Sequence, residues 1–157
     1  IHVVPVVSAG DMYDACMAAS PDAAVIVMTA AVADYRPVSV ASNKIKKNAA
    51  DWELKLTKNE DILLALGKQK KAGQFIAGFA LETNNEREHA LAKLQTKNDD
   101  MIVLNSLNDE AAGFGVDTNQ VTILHRSGEE KKIGLQSKKA VAEEIVSFII
   151  THVHAKP

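Results

Sequence analysis

This sequence predicts an α/β fold, a sandwich built around a mostly parallel sheet, on three observations. Short apolar runs rich in β-branched residues alternate with stretches of helical periodicity. The links between them are short, as strand–helix–strand units require. Three of the runs, A-V-I-V-M-T, F-I-A-G-F-A-L and M-I-V-L, are apolar without alternation, the mark of strands covered on both faces.

The elements follow in order. Residues 1–7 read as a strand. Ser8 is a natural N-cap for a helix to about Ala19, with Asp11 near its positive end. Pro21-Asp22 breaks the chain before a buried strand at 24–29. Residues 52–57 alternate and suggest a further strand. Asn59 looks like an N-cap, with Glu60 and Asp61 in the first turn of a helix to about Lys71, closed by Gly73. A buried strand at 75–81 leads to a polar helix over about 85–97 and then to a buried strand at 101–104. Residues 121–125 and 131–133 flank Ser127-Gly128, a β-hairpin signal. Ser137 caps a last helix carrying Val141, Ile145, Phe148 and Ile149 on one face.

Composition narrows the function classes. The 157 residues, 46% hydrophobic and 24% charged, suit one domain with a real core and exclude wholesale disorder. With no repeat, low-complexity tract or linker, residues 1–157 are read as a single domain. Aromatics at 4% leave Ala, Val, Ile and Leu to build that core. The single cysteine, Cys16, excludes a disulfide framework or a multi-cysteine zinc site and reads as a core residue. A net charge of −2 argues against nucleic acid or a membrane surface as partner. No run reaches the ~20 apolar residues that span a bilayer, so a cytoplasmic setting is expected. The five histidines show no metal spacing. No glycine fingerprint follows a strand, which disfavours a nicotinamide enzyme.

In a parallel sheet, ligands bind beyond the carboxyl ends of the strands. The strand at 24–29 runs into A-A-V-A-D-Y-R-P, whose small residues let a ligand approach the backbone. Asp34 there suits a metal, a ribose or an ammonium group, or simply caps the next segment. K-I-K-K at 44–47 suits a polyphosphate or forms a solvated charge run. K-N-E-D-I-L at 58–63 opens a helix whose first N–H groups can take an anion or the edge of a base, or are merely capped. G-F-A-L-E-T-N at 78–84 ends a strand with Phe79, placed to stack on a base or to fill the core, and puts Glu82 in the following loop. Lys93 and Lys97, four apart, share one helix face.

Taken in order, these five motifs, the last continuing as K-L-Q-T-K-N-D-D-M-I-V-L-N, closely resemble bacterial phosphopantothenoylcysteine synthetase. F-G-V-D-T-N-Q-V at 114–121 fits as well, and the likeness runs from about Val6 to Val146. The resemblance implies a three-layer sandwich with a Rossmann-like core, related to ribokinase-like enzymes. It implies a CTP-dependent ligase of coenzyme A biosynthesis that joins 4′-phosphopantothenate to L-cysteine through an acyl-cytidylate. Mg²⁺ would accompany the triphosphate. A homodimer is expected, with the strands at 121–133 building the contact. A decarboxylase domain is often fused upstream, and FMN would be present only with it.

The resemblance also assigns residues. The nucleotide site would comprise Met28, Thr29 and Ala30 at the strand end, then Asp34, and Lys44 as the catalytic lysine. Glu60, Asp61, Ile62 and Leu63 would read cytosine, mainly by backbone. Phe79 would pack on the nucleotide, Lys93 and Lys97 would contribute further charge, and Lys46 and Lys47 would support a flap. Nothing in this sequence matches the family's glycine- and serine-rich phosphate segment, which is expected upstream of Ile1. The phosphopantothenate-binding and metal-binding residues are therefore not assigned. The competing expectation is a non-catalytic nucleotide-binding or dimer-forming fragment of the same enzyme.

Overall fold

The computed structural model describes residues 1–44, 53–82, 84–106 and 115–154. Helix α1 (Ala9–Ala19) opens on a capping box. The Asp11 N–H donates to Ser8 Oγ at 3.1 Å, and the Ser8 N–H donates back to Asp11 Oδ2 at 2.9 Å. A single 3₁₀ turn, Ser20–Asp22, holds Pro21 in its first turn and hands the chain to the sheet.

The central sheet has five strands, β1 (Val25–Met28), β4 (Phe75–Glu82), β5 (Met101–Ser106), β6 (Thr118–His125) and β7 (Glu130–Ser137), in the order β1-β4-β5-β6-β7. The first two pairings are parallel and the last two antiparallel, so four of the five strands run the same way. The β6–β7 hairpin turns at Gly128, whose φ of +92° lies where glycine meets no Cβ penalty. Two further strands, β2 (Tyr35–Pro37) and β3 (Leu56–Lys58), form a separate antiparallel pair.

Three layers result. Helix α4 (Lys138–His154) lays Val141, Ile145, Phe148 and Ile149 on Phe75, Ala77, Met101, Val103 and Ile123. On the opposite face, α3 (Glu86–Thr96) packs Ala90 and Leu94 on Ala80, Ile102 and Leu104. Helix α2 (Ile62–Gln69) covers Ile76 with Ile62 and Leu66, and Met12, Tyr13, Cys16 and Met17 of α1 close over that cluster. Each fully buried aliphatic side chain contributes about 1.5–3 kcal/mol, so these clusters hold the layers together. Cys16 is half-buried there, in keeping with a packing role.

A buried ion network pins the amino ends of β4 and β5. Asp100, 1% exposed, pairs with Lys70 and with Arg126 Nη1 at 3.1 Å, and accepts the Ile76 N–H at 2.8 Å. Burial alone would push its carboxyl up. The Lys70 ammonium, the Ile76 amide and the Arg126 guanidinium together hold it below the usual range.

Several elements differ from the sequence expectation. Residues 1–7 form no strand and lie exposed. A β-branched run becomes a strand only where a ladder and a face to cover are provided, and no described residue pairs with it. Strand β1 is not covered on both faces: Val25 and Val27 are 38% and 43% exposed. Among the described residues it pairs only with β4, and the α4 layer lies over β4, β5, β6 and β7 rather than over β1. The strand expected at 52–57 is observed as Leu56–Lys58, with Trp52 outside the described residues.

The cap of α2 is Asp61 rather than Asn59. The Asn59 N–H extends the β2–β3 ladder by donating to the Asp34 carbonyl at 2.8 Å, so the helix begins two residues later. α3 starts after Asn85, whose φ of +44° turns the chain without a side-chain cap. Glu82 ends β4 instead of lying in the following loop.

Candidate functional site

The cleft lies where β1 and β4 end and α2 begins. Beyond Met28 the chain leaves the sheet through the small residues 30–33, too short in side chain to fill the space above the strand ends. It returns as β2, and the three-pair ladder to β3 places Tyr35 opposite Lys58. Asn59 fastens the two strands to the preceding loop. Its Nδ2 donates to the Ala33 carbonyl at 2.7 Å, and its Oδ1 accepts Arg36 Nη1 at 2.8 Å. Arg36 Nη1 also reaches the Lys58 carbonyl at 3.2 Å.

The half-open cavity measures about 370 Å³. Its floor is Met28 and Phe79, one wall is Ala30, Asp34 and Tyr35, and the other is Lys58 to Leu63 with Lys97. Asp61 caps α2 by accepting the Leu64 N–H at 3.0 Å and pairs with Lys97 Nζ at 3.0 Å. Burial alone would raise the Asp61 carboxyl; the Leu64 amide and the Lys97 ammonium outweigh it and hold the carboxyl below its ordinary value. The amides of Ile62 and Leu63 precede the capped one and have no helical acceptor, so a ligand can take them.

The cavity thus offers backbone donors, two aromatic rings, two ammonium groups and three carboxylates around a space with room for a planar, polar molecule. Beneath it, Gly78 brings Leu63 and Asp99 against β4. A Cβ at Gly78 would stand 2.7 Å from Leu63 Cδ2 and 3.1 Å from Asp99 Oδ2. Asp99 is 0% exposed, and neither of its oxygens has a hydrogen-bond partner among the described residues. Burial pushes its carboxyl up to about 8, against the pull of Lys97 and Lys70.

Of the residues assigned from the sequence, Met28, Ala30, Asp34, Glu60, Asp61, Ile62, Leu63, Phe79 and Lys97 all line this one cavity. Thr29 is exposed beside it and not in its wall. Lys93 lies one helical turn before Lys97 and also stands outside the wall. Lys44 is exposed, again outside the wall, at the end of a described segment. Lys46 and Lys47 lie outside the described residues. Val32, Ala33, Tyr35, Lys58 and Asn59 line the cavity without having been assigned. All five fall inside the motifs quoted above, but their role needs the β2–β3 pairing, which three-residue strands do not announce.

Among the described residues, no three His, Cys, Asp or Glu side chains gather to hold a metal ion. No helix among them is long and apolar enough to cross a membrane.

Fold and cleft together define an α/β domain that offers a polar pocket lined by charges of both signs beyond the carboxyl ends of parallel strands. The chain belongs to the family described as DNA/pantothenate metabolism flavoprotein C-terminal domain, which it matches over residues 1–153. It is 40% identical over 146 residues to the coenzyme A biosynthesis bifunctional protein CoaBC of Bacillus subtilis, covering 93% of this chain and 36% of the relative. It is 44% identical over 154 residues to a protein named cysteine/cysteine sulfinic acid decarboxylase from an unknown prokaryotic organism, covering 98% of this chain and 43% of that one. The chain therefore spans about two fifths of the length of these relatives.

The crystal structure of a CoaBC C-terminal domain superposes with a TM-score of 0.78 at 38% identity, over 98% of this chain and 68% of that one. A flavoprotein structure from Streptococcus pneumoniae, 19% identical with a TM-score of 0.73 over 94% of this chain and 71% of its own, shares the fold. These likenesses bear out the family resemblance and the α/β sandwich with a mostly parallel sheet.

Proposed function

We propose that the cleft binds CTP and that this domain supplies the nucleotide half of a phosphopantothenate–cysteine ligase of coenzyme A biosynthesis. The observation that carries the reading is the convergence on one cavity of nine residues that the family resemblance assigns to the nucleotide. The CoaBC names of the relatives at this identity agree with it.

In this reading the pyrimidine lies over Phe79 and is read by the backbone at the start of α2. Lys58 and Lys97 face the phosphates, joined by Lys44. The carboxylate oxygen of 4′-phosphopantothenate bonds to the α-phosphorus of CTP, and the bond to pyrophosphate breaks. The amine of L-cysteine then bonds to the acyl carbon, CMP departs with the electron pair of the broken C–O bond, and the ammonium gives up a proton. Positive charge fixed around the phosphates favours both departures. Mg²⁺ commonly rides on substrate phosphates with few protein ligands. The described residues fit that arrangement rather than a cage of their own.

Calorimetry tests the nucleotide assignment: CTP should bind at least tenfold tighter than ATP or GTP, and equal affinities would sink it. Lys44→Gln should leave the melting temperature unchanged and cut pyrophosphate release by several orders of magnitude.

The name of the 44% relative supports a second reading, decarboxylation of free cysteine. Carbon dioxide release from cysteine without any nucleotide would favour it.

A further inference from the structure

A second cavity of about 260 Å³ adjoins the first and shares Asn59 and Glu60 with it. Its other walls are Gly10, Tyr13 and Asp14 of α1 and Arg36 of β2. The charges around it are of both signs. None of Asp14, Arg36 and Glu60 is in an ion pair with any described residue. Three charged groups ring one small space without neutralising one another.

Arg36 is held in place rather than swinging freely. Its Nη1 is engaged by the Lys58 carbonyl and Asn59 Oδ1, while Nε and Nη2 take no bond among the described residues. Those two nitrogens form one edge of the guanidinium, the fork that takes a carboxylate through two parallel hydrogen bonds. Asp14 and Glu60, in the same lining, offer acceptors for an ammonium.

We infer that this second cavity is the binding site for the zwitterionic head of a small α-amino acid, its carboxylate on Arg36 and its ammonium toward Asp14 and Glu60. The chemistry of the walls excludes the alternatives. A phosphate would meet two carboxylates, and a bare divalent cation would meet a fixed guanidinium. A zwitterion of cysteine's size answers both signs at once. The shared wall at Asn59 and Glu60 sets its amine beside the first cavity, where an acyl group would be presented. Naming L-cysteine as this ligand rests on the ligase reading above; the zwitterion site does not.

The test compares L-cysteine with cysteamine, which lacks the carboxylate, as acceptor in the full-length enzyme given CTP and 4′-phosphopantothenate. A charge-assisted bond contributes about 1.5–3 kcal/mol, about tenfold or more in an equilibrium constant. Arg36→Lys should narrow the wild-type preference for L-cysteine over cysteamine about tenfold. Asp14→Asn should raise KM for both amines about tenfold while the nucleotide KM stays fixed. Pyrophosphate release with unchanged amine KM and unchanged selectivity in both variants would overturn the inference and leave the ligase reading standing. If the wild type releases no pyrophosphate, the ligase reading falls. Amide NMR then decides the site: saturable shifts at Gly10 and Tyr13 on adding L-cysteine, lost in Asp14→Asn, support it, and their absence overturns it.

Discussion

Gly67 of α2 lies against Lys97 at the end of α3 so closely that a Cβ on Gly67 would overlap the Lys97 carbonyl oxygen and stand 2.8 Å from its carbon. The contact is reinforced by Asn98, whose φ of +57° lets Nδ2 donate to the Gly67 carbonyl at 3.0 Å. One backbone approach and one ion pair, Lys97 to Asp61, therefore fix Lys97 at both of its ends.

Gly67→Ala should be destabilising although alanine is the better helix former. The propensity gain of about 1 kcal/mol is set against backbone overlap, which costs about 1–3 kcal/mol and moves Lys97. Urea denaturation should show the net loss, and calorimetry a weaker affinity for CTP, the ligand proposed for the cleft.

Asp61 separates capping from ion pairing. Asp61→Ala removes the cap and should cost about 1 kcal/mol. Asp61→Asn keeps a capping oxygen and loses only a partly exposed pair, a few tenths by comparison with measured surface pairs. Because the folded Asp61 carboxyl lies below its ordinary value, its contribution is present above pH 3.8 and is lost as pH falls toward the folded value. Melting curves between pH 2.5 and 6 should flatten in Asp61→Asn.

Asp99 works in the opposite sense. Its carboxyl is raised to about 8, so the folded state favours the neutral acid. Stability from this group is full below pH 3.8 and is lost as pH rises toward 8, where the folded carboxyl finally ionises. Asp99→Asn removes that titration. The variant should gain melting temperature relative to the wild type at pH 9 and show a flatter profile between pH 5 and 9.

Asp100 is the anchor whose removal should hurt most. Asp100→Ala leaves the Lys70 ammonium, 8% exposed, without its carboxylate and the Ile76 amide without its acceptor. Breaking a buried pair from one side costs about 3–5 kcal/mol. Chemical denaturation should show a loss of that size, greater than for Lys131→Ala, whose partner Glu144 has a side chain 45% exposed.

The sequence was legible where local chemistry and tertiary packing agree. The Ser8 box, the runs that became β4 and β5, the hairpin at Gly128 and the apolar face of α4 all follow from periodicity and capping alone. It was misleading where a neighbour decides. Residues 1–7 have a strand's composition but no ladder, and Asn59 has a cap's chemistry but is drawn into the β2–β3 pairing. Most of the site could be read because its residues cluster in contiguous motifs. Arg36, Tyr13 and Asp14 could not, because only the fold brings α1 to β2.

The β2–β3 pair supplies one side of the cleft while belonging to a different sheet from Met28 and Phe79. All six of its residues are exposed, so its amides should exchange with solvent through local opening, well before those of β4 and β5. A ligand lodged between Phe79 and Tyr35 bridges the two sheets. Occupancy should then slow exchange at Arg36 and Thr57 far more than in the core, making these amides a reporter of whether the cleft is filled.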